Sequence, residues 1–228
     1  MKVVVKARLI LCRGCMAYLG PLVDNRPHRH HAGQFVQSTG TPFLLHGAQG
    51  SRRLHHAALP PDTVHAIDSA GEPVLVLLFE PTILPAAMPD GAPLKPALDC
   101  PLNMLGQLRD SSGTPPDARL ERLKVLARAA EGPVRLAGLA SRVGLSPSRI
   151  THLFTRSEGI PFKRWLLWDR LLRTVDRLAA GDDLTTAAHA AGFADSAHFS
   201  RSFRAHFGIA ASSVFRSRSV QVERCAQH

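Results

Sequence analysis

The sequence predicts an α+β protein, in which a small β-barrel is followed by an all-α domain with two helix-turn-helix units joined by a long helix. Three observations support this fold class. Short apolar or alternating runs fill residues 1–80, eight of the chain's 17 prolines fall between residues 81 and 116, and helical periodicity begins at residue 117. Proline removes a backbone donor and disfavours helix at the residue before it. The predicted divisions are therefore 1–80, a connector at 81–116, a helical domain at 117–217 and a tail at 218–228.

The charge of the chain is strongly positive and unevenly spread. The formal net charge is +10 over 228 residues and the sequence pI is about 10.5, which favours an anionic partner such as nucleic acid. Residues 1–115 hold 10 Lys and Arg against 8 Asp and Glu, a net +2, whereas residues 116–228 hold 18 against 10, a net +8. We therefore assign the basic partner surface to the C-terminal half.

The four cysteines, at positions 12, 15, 100 and 225, form no obvious disulfide framework. On a strand, Cys12 and Cys15 point to opposite faces unless a turn intervenes at Gly14. No second Cys-x-x-Cys pair exists to complete a four-thiolate zinc site. We interpret the pair as two small, partly buried thiols.

The N-terminal segment is untypical of a signal peptide, because Lys6, Arg8 and Arg13 interrupt its apolar stretch. No run approaches the roughly 18 apolar residues that a membrane span needs. We expect a cytoplasmic protein with no membrane partner.

Four runs predict strands in the first part of the chain: VVVKARLIL, QFVQS, PFLLHG and PVLVLLFEP. The connector contains one short helical candidate, LNMLGQLR at 102–109. After it, DARLERLKVLARAAEG repeats leucines at helical spacing and ends on Gly and Pro, which is typical of a helix stop.

A first helix-turn-helix is predicted between residues 134 and 159. A short apolar helix ends at Gly144, and Ser146 followed by Pro147 is typical of an N-cap and the first helical position. The next helix buries Ile150 and Phe154 among its apolar positions. Two short helices with a tight glycine-containing turn are the signature of this motif.

A long helix at 162–180, about 28 Å in length at 1.5 Å per residue, leads to a second copy of the arrangement. The second copy has an alanine-rich helix, then Gly192, then Asp195 or Ser196 as an N-cap. Its last helix stacks phenylalanines on one face, at positions 199, 203 and 207, and is small, polar and basic on the other. Such a helix is suited to lie against an anionic surface.

The segments LASRVGLSPSRITHLFTRSEGIPFKRWL and AAHAAGFADSAHFSRSFRAHFG resemble both copies of the motif of the AraC/XylS transcriptional regulators, over roughly 117–216. The one departure is Ala211, where proline is usual, and it bears only on the last short helix. The resemblance implies a DNA-binding regulator that is not an enzyme, with double-stranded DNA and RNA polymerase as partners. A homodimer is left open.

The resemblance also implies which residues meet DNA. Alignment carries the family's base-reading positions onto Ser148, Thr151, His152, Ala197, His198 and Arg201. The residues expected to hold phosphates are Ser146, Arg149, Arg156, Lys163, Arg164, Ser196 and Arg204. The alternatives are a structural ion pair of Arg201 with Asp195 or Asp169, and histidines that are simply exposed.

Seven of the 12 histidines lie in the first 65 residues, most densely in PHRHHAGQF. Neutral imidazoles are good ligands for first-row metals. This segment and PPDTVHAI resemble the two motifs of cupin barrels, which implies metal positions at His28, His30, Gln34 and His65. Gln34 stands where Glu is usual, and Asp62 stands where Gly is usual. The alternative is a cupin-like sensing barrel whose histidines line a pocket or the surface and hold no metal.

The sequence thus predicts a sequence-specific transcriptional regulator that reads two adjacent major-groove half-sites. A small ligand or a divalent metal ion in the N-terminal barrel is expected to control it. Two alternatives stay open: a β domain that only dimerises, and a metal-dependent cupin enzyme with a DNA-binding regulatory tail.

Overall fold

The α+β fold class is confirmed in a computed structural model. The structure describes residues 7–12, 15–22, 25–79, 117–130, 134–215 and 220–224. The predicted connector 81–116, with its predicted helix at 102–109, lies outside these residues. The chain divides into two compact units, one of residues 1–110 with 203–228 and one of residues 111–202, and each is described by itself.

The first unit contains two β-sheets. The strands are β1 (Ala7–Cys12), β2 (Cys15–Pro21), β3 (Gly33–Ser38), β4 (Phe43–Gly47), β5 (Gly50–Leu54), β6 (His56–Leu59), β7 (His65–Asp68), β8 (Pro73–Phe79) and β9 (Val220–Arg224). One sheet has the order β6-β3-β8-β2-β1-β9 and the other β5-β4-β7. No pairing among the described strands closes these sheets into a single barrel.

Strand β8 explains why one predicted run is continuously apolar. It lies between β3 and β2 in the larger sheet, and all of its residues after Pro73 are buried. A strand that is covered on both faces has no solvent side on which polar residues would alternate.

Two features of this sheet differ from the expectations. The predicted tail contains β9, which pairs in parallel with β1, and Glu223 accepts two hydrogen bonds from the Arg8 guanidinium at 2.8 and 2.9 Å. The chain also reverses between Cys12 and Cys15, which are directly paired across the β1–β2 hairpin. Short strands such as β9 carry little periodicity of their own, and their partners lie far away in the sequence.

The helices are α1 (Ala118–Ala129), α2 (Leu136–Arg142), α3 (Pro147–Glu158), α4 (Phe162–Ala179), α5 (Leu184–Ala190), α6 (Ser196–Phe207) and α7 (Ala211–Phe215). The predicted cap of α3 is confirmed, because the Ser146 hydroxyl accepts a hydrogen bond from the Arg149 amide. At α6 the cap is Asp195, whose carboxylate accepts from the His198 amide. The last short helix forms even though Ala211 replaces proline.

An aromatic cluster holds the helical unit together behind α3. The ring of Phe154 meets Phe162 and Trp165 edge-on, with centroids 5.3 and 5.7 Å away. Leu123 and Ile150 belong to the same buried core. Since a 12-residue helix is marginal by itself in water, this packing holds α3 in place.

Charged groups fix the second half of the same unit to α4. Asp169, which is buried, accepts hydrogen bonds from Arg128 at 2.7 Å and from Arg173 at 2.9 Å. Arg173 also donates to the carbonyl of Ala191, where α5 ends. One buried carboxylate therefore joins α1, α4 and the turn of the second helix-turn-helix.

None of the helices that the structure describes is long and apolar enough to span a membrane.

Replacing Phe154 with alanine is expected to lower the free energy of unfolding by about 3–5 kcal/mol, because the ring is fully buried and its loss leaves a cavity. Urea unfolding followed by tryptophan fluorescence measures this, since both tryptophans of the chain lie in the helical unit. Val125→Ala, at a side chain 61% exposed, is the control and should change stability by less than about 0.5 kcal/mol. A loss below about 1 kcal/mol for Phe154→Ala would contradict the packing.

Tyr18, the only tyrosine of the chain, is expected to titrate late. Burial raises its pKa to about 12, and its hydroxyl donates to the Pro21 carbonyl at 2.9 Å. Because the folded pKa lies above the unfolded value near 10, this contribution to stability is complete below pH 10 and is lost as pH rises through about 12. Phenolate absorbance in native protein should show the late titration, and the same protein in urea should titrate near pH 10. Native titration near 10 would refute the burial.

Candidate nucleic-acid interface and histidine cluster

The outer face of α3 is polar and open to solvent. All six side chains predicted to point outward are exposed: Ser148, Arg149, Thr151, His152, Thr155 and Arg156. Thr151 donates its hydroxyl hydrogen to the Pro147 carbonyl at 2.9 Å, which orients its methyl group outward. On the opposite side, Ile150 and Phe154 are completely buried. The face is thus fixed from behind and presents donors and acceptors at its front.

The start of α6 repeats this design with different chemistry. Ala197 and Arg201 are exposed, whereas Phe199 is fully buried. His198 is half-buried, and its ring meets Phe193 edge-on with centroids 5.2 Å apart. Packing therefore limits the directions in which His198 can reach, while Arg201 keeps its full length.

The alternative of a structural ion pair for Arg201 gains no support from the residues that the structure describes. Asp169 is held by Arg128 and Arg173, and Asp195 caps α6. Among the expected phosphate-holding residues, Ser146, Arg149, Arg156 and Lys163 are exposed, and Ser196, Arg164 and Arg204 are half-buried.

The four predicted metal positions come together in the first unit. Ligand atoms of His28, His30 and His65 lie within 4.8 Å of one another. The amide oxygen of Gln34 lies 2.7 Å from His30 Nε2 and 3.0 Å from His65 Nε2. All four side chains belong to residues less than 9% exposed.

Backbone contacts bring these side chains together. His28 and His65 exchange two backbone hydrogen bonds of 3.0 Å. Asp62 adopts a left-handed φ of 64°, where the cupin motif has glycine, and its amide donates to the His30 carbonyl at 2.8 Å. Aspartate tolerates this conformation better than most residues, so the turn before His65 forms without glycine.

The tautomer of each imidazole is fixed by a carbonyl. The Nδ1 atoms of His28, His30 and His65 lie 2.8, 2.8 and 2.9 Å from the carbonyl oxygens of Arg26, Ala32 and Thr63. A carbonyl oxygen only accepts, so each Nδ1 carries the hydrogen and each Nε2 keeps a lone pair. This is the arrangement that holds histidine ligands in metal sites.

These imidazoles are neutral at physiological pH. Burial lowers the pKa of His28 to about 3 and that of His65 to about 4, and it also lowers the pKa of His30. Gln34 is thus surrounded by ring nitrogens that offer lone pairs and no protons.

The cluster opens onto a small cavity of about 50 Å³. Its walls are apolar apart from the cluster and Asn25, and they include Tyr18, Ile67, Phe203 and Phe207. Liquid water occupies about 30 Å³ per molecule, so the space suits a few waters or one ion and not a drug-sized molecule.

Sequence reasoning missed two residues next to the cluster, Asn25 and Gly208. Gly208 is recognisable from the sequence only as a helix-ending glycine. Its approach to His28 joins segments 180 residues apart, and no local pattern signals that contact.

Comparison with known proteins bears on the C-terminal part of the chain. Residues 139–217 match the family described as "Helix-turn-helix domain". The chain is 33% identical over 107 residues to the regulatory protein Ada of Salmonella typhimurium, covering 46% of this chain and 30% of that protein. It is 39% identical over 82 residues to the transcriptional activator RhaS of Pectobacterium atrosepticum, covering 36% of this chain and 29% of that protein. The matched segments thus span less than a third of these relatives.

The fold of nearly the whole chain is similar to that of ToxT from Vibrio cholerae. A structure of ToxT with an unsaturated fatty acid bound aligns with a TM-score of 0.53 at 12% identity, covering 87% of this chain and 94% of that one. At this identity the likeness concerns the fold alone. The resemblance predicted from the motif is confirmed, and residues 139–217 are a helix-turn-helix domain of the AraC type.

Proposed function

We propose that the protein is a sequence-specific DNA-binding transcriptional regulator and not an enzyme. The observation that carries the proposal is the paired design of α3 and α6. Each begins with an exposed, uncharged or basic face and is anchored behind by a fully buried phenylalanine, Phe154 or Phe199. A recognition helix of this kind fits the major groove and reads base edges near its N-terminal end.

The two helices would read DNA differently. Ser148, Thr151 and His152 on α3 offer short polar contacts, and Ala197 on α6 can contact only a thymine methyl group. Arg201 has the length and the planar donors for a bidentate contact to guanine. We therefore assign the largest single share of base discrimination to Arg201.

The spacing supports two half-sites per chain. Helix α4 has 18 residues and is about 27 Å long at 1.5 Å per residue. Successive major grooves on one face of DNA are about 34 Å apart. Arg156, Lys163, Arg164 and Arg204 would hold phosphates, which sets register and salt dependence but not sequence.

The effector that we propose is a first-row divalent cation held by His28, His30, His65 and Gln34. Three neutral rings direct Nε2 lone pairs towards the same region as an amide oxygen, so four acceptors meet without a donor. When bound, a cation supplies the positive charge that this donor set lacks, and imidazole nitrogen suits Zn²⁺, Cu²⁺ or Ni²⁺. The donor set therefore fits the metal that the cupin-like motif implies.

The size of the cavity separates this effector from an organic one. ToxT is found with an unsaturated fatty acid bound, whereas a cavity of about 50 Å³ is too small for a chain of that size. The same limit opposes a metal-dependent enzyme, which needs room for a substrate beside its metal.

Arg201→Ala is expected to weaken binding to a DNA duplex selected from a random pool by about 5- to 150-fold, the equivalent of about 1–3 kcal/mol. Affinity for unrelated duplex should change much less, because the guanine contact is lost and the phosphate contacts remain. Fluorescence anisotropy over a range of salt concentrations measures both. Lys163→Ala should instead weaken all duplexes alike and reduce the salt slope by about 1.

Arg122→Ala removes the same charge from an exposed position on α1 and serves as the matched control. It should leave the preference for the selected duplex unchanged. Equal losses for Arg201→Ala and Arg122→Ala would refute the base-reading role, and wild-type protein without a selected sequence would refute the regulator.

Purified, untagged protein is expected to carry close to one equivalent of a first-row metal by elemental mass spectrometry, or to take it up on loading. The double variant His28→Ala/His65→Ala should lose it, because two of the three imidazoles are gone. His46→Ala/His55→Ala, which also removes two histidines, should retain it.

A different result has a definite structural meaning. If the Gln34 amide turns over, its NH₂ group donates to both Nε2 atoms and satisfies them without an ion. Failure of the wild type to bind Zn²⁺, Cu²⁺ or Ni²⁺ would establish that arrangement and exclude the cation.

A further inference from the structure

The two recognition helices end in the same way but in different surroundings. Gly159 follows α3 with φ 71°, and Gly208 follows α6 with φ 69°, both in the left-handed region that favours glycine. A Cβ at Gly159 would meet no atom within 4 Å. At Gly208 it would lie 2.5 Å from His28 Nδ1 and 2.7 Å from the Arg26 carbonyl oxygen. Only the end of the second recognition helix is packed against a cluster histidine.

Hydrogen bonds hold this end in place. The Arg26 amide donates to the Gly208 carbonyl at 3.0 Å, and the Asn25 side-chain NH₂ donates to the Phe207 carbonyl at 3.1 Å. The other end of the Asn25 amide accepts from the Ile67 amide at 2.8 Å, which fixes the orientation of the group. Residues 25–28 and 203–228 belong to the same compact unit.

A continuous path leads from the cluster to the helix. The His28 ring donates through Nδ1 to the Arg26 carbonyl at 2.8 Å, and the Arg26 amide is bonded to Gly208. Phe203 and Phe207, on the last turns of α6, line the same cavity as His28, His30 and Gln34. A change in the position of the His28 ring therefore acts directly on the last turn of α6.

We propose that cation binding at the histidine cluster is thermodynamically coupled to the seating of the end of α6, through His28, Arg26 and Gly208. The proposal rests on the proposed cation site. A cation fixes the His28 ring, and the fixed ring holds the Arg26 carbonyl and, through the Arg26 backbone, the helix end. Since Gly159 has no such contact, the coupling acts on the second recognition helix and spares the first.

Coupling is reciprocal, so a change at the helix end must alter affinity at the cluster. Gly208→Ala places a methyl group against His28 and is expected to weaken Zn²⁺ binding at least 5-fold, within the usual range for coupled sites. Gly159→Ala introduces the same strain at nearly the same φ and should leave Zn²⁺ affinity within 2-fold of wild type. Competition with a chromophoric chelator on the full chain measures both. Equal affinities in the two variants would overturn the proposal.

Asn25→Asp gives a second test that does not depend on a strained backbone. The aspartate keeps an oxygen for the Ile67 amide but loses the donor to Phe207, so the helix end should loosen while the strand contact remains. Zn²⁺ should bind this variant more weakly than wild type. Unchanged affinity would count against coupling through the helix end.

Hydrogen exchange locates the effect. In wild type, Zn²⁺ should slow amide exchange in residues 25–34 and also in 203–210, and in Asn25→Asp the slowing at 203–210 should be lost. Slowing confined to 25–34 in wild type would overturn the coupling but leave the cation site intact. No Zn²⁺ binding by wild type would overturn both, whereas the DNA-binding role is judged separately by Arg201→Ala.

Discussion

The burial of aromatic rings behind short helices is the constraint on which the C-terminal half depends. A helix of 12 residues gains too little from its own hydrogen bonds to persist in water, so α3 and α6 exist because one face of each is removed from solvent. Phe154 meets the rings of Phe162 and Trp165, and Phe199 meets Phe193. With the back of each helix fixed in this way, the front can consist of small and basic residues chosen for contact rather than for stability.

The same logic separates structural from functional arginines. Arg128 and Arg173 are committed to Asp169, a buried carboxylate that would be costly to leave unpaired. Arg173 extends this commitment to the end of α5 by donating to Ala191. Since Asp169 is already engaged, Arg201 at the start of α6 is available for an external partner, and a basic chain does not become a uniformly basic surface.

In the first unit the dominant constraint is the set of carbonyls around the histidine cluster. They fix the tautomers of three imidazoles, and burial keeps these rings neutral. The result is a group of lone pairs in an apolar setting, which is unfavourable until a cation or a rearranged amide satisfies it. The end of α6 packs against the same group, so a site that is unremarkable in sequence gains a connection to a DNA-reading element.

Local patterns were sufficient to predict the fold class, the Ser146 cap, the two helix-turn-helix units and the aromatic anchors, because these depend on periodicity and on residues close in sequence. Histidine spacing likewise predicted the members of the cluster. Only the tertiary structure paired β9 with β1, turned the chain between Cys12 and Cys15, assigned Asp169 to Arg128 and Arg173, and packed Gly208 against His28. These contacts join segments that carry no mutual signal in the sequence, and their geometry is set by how the packed elements meet.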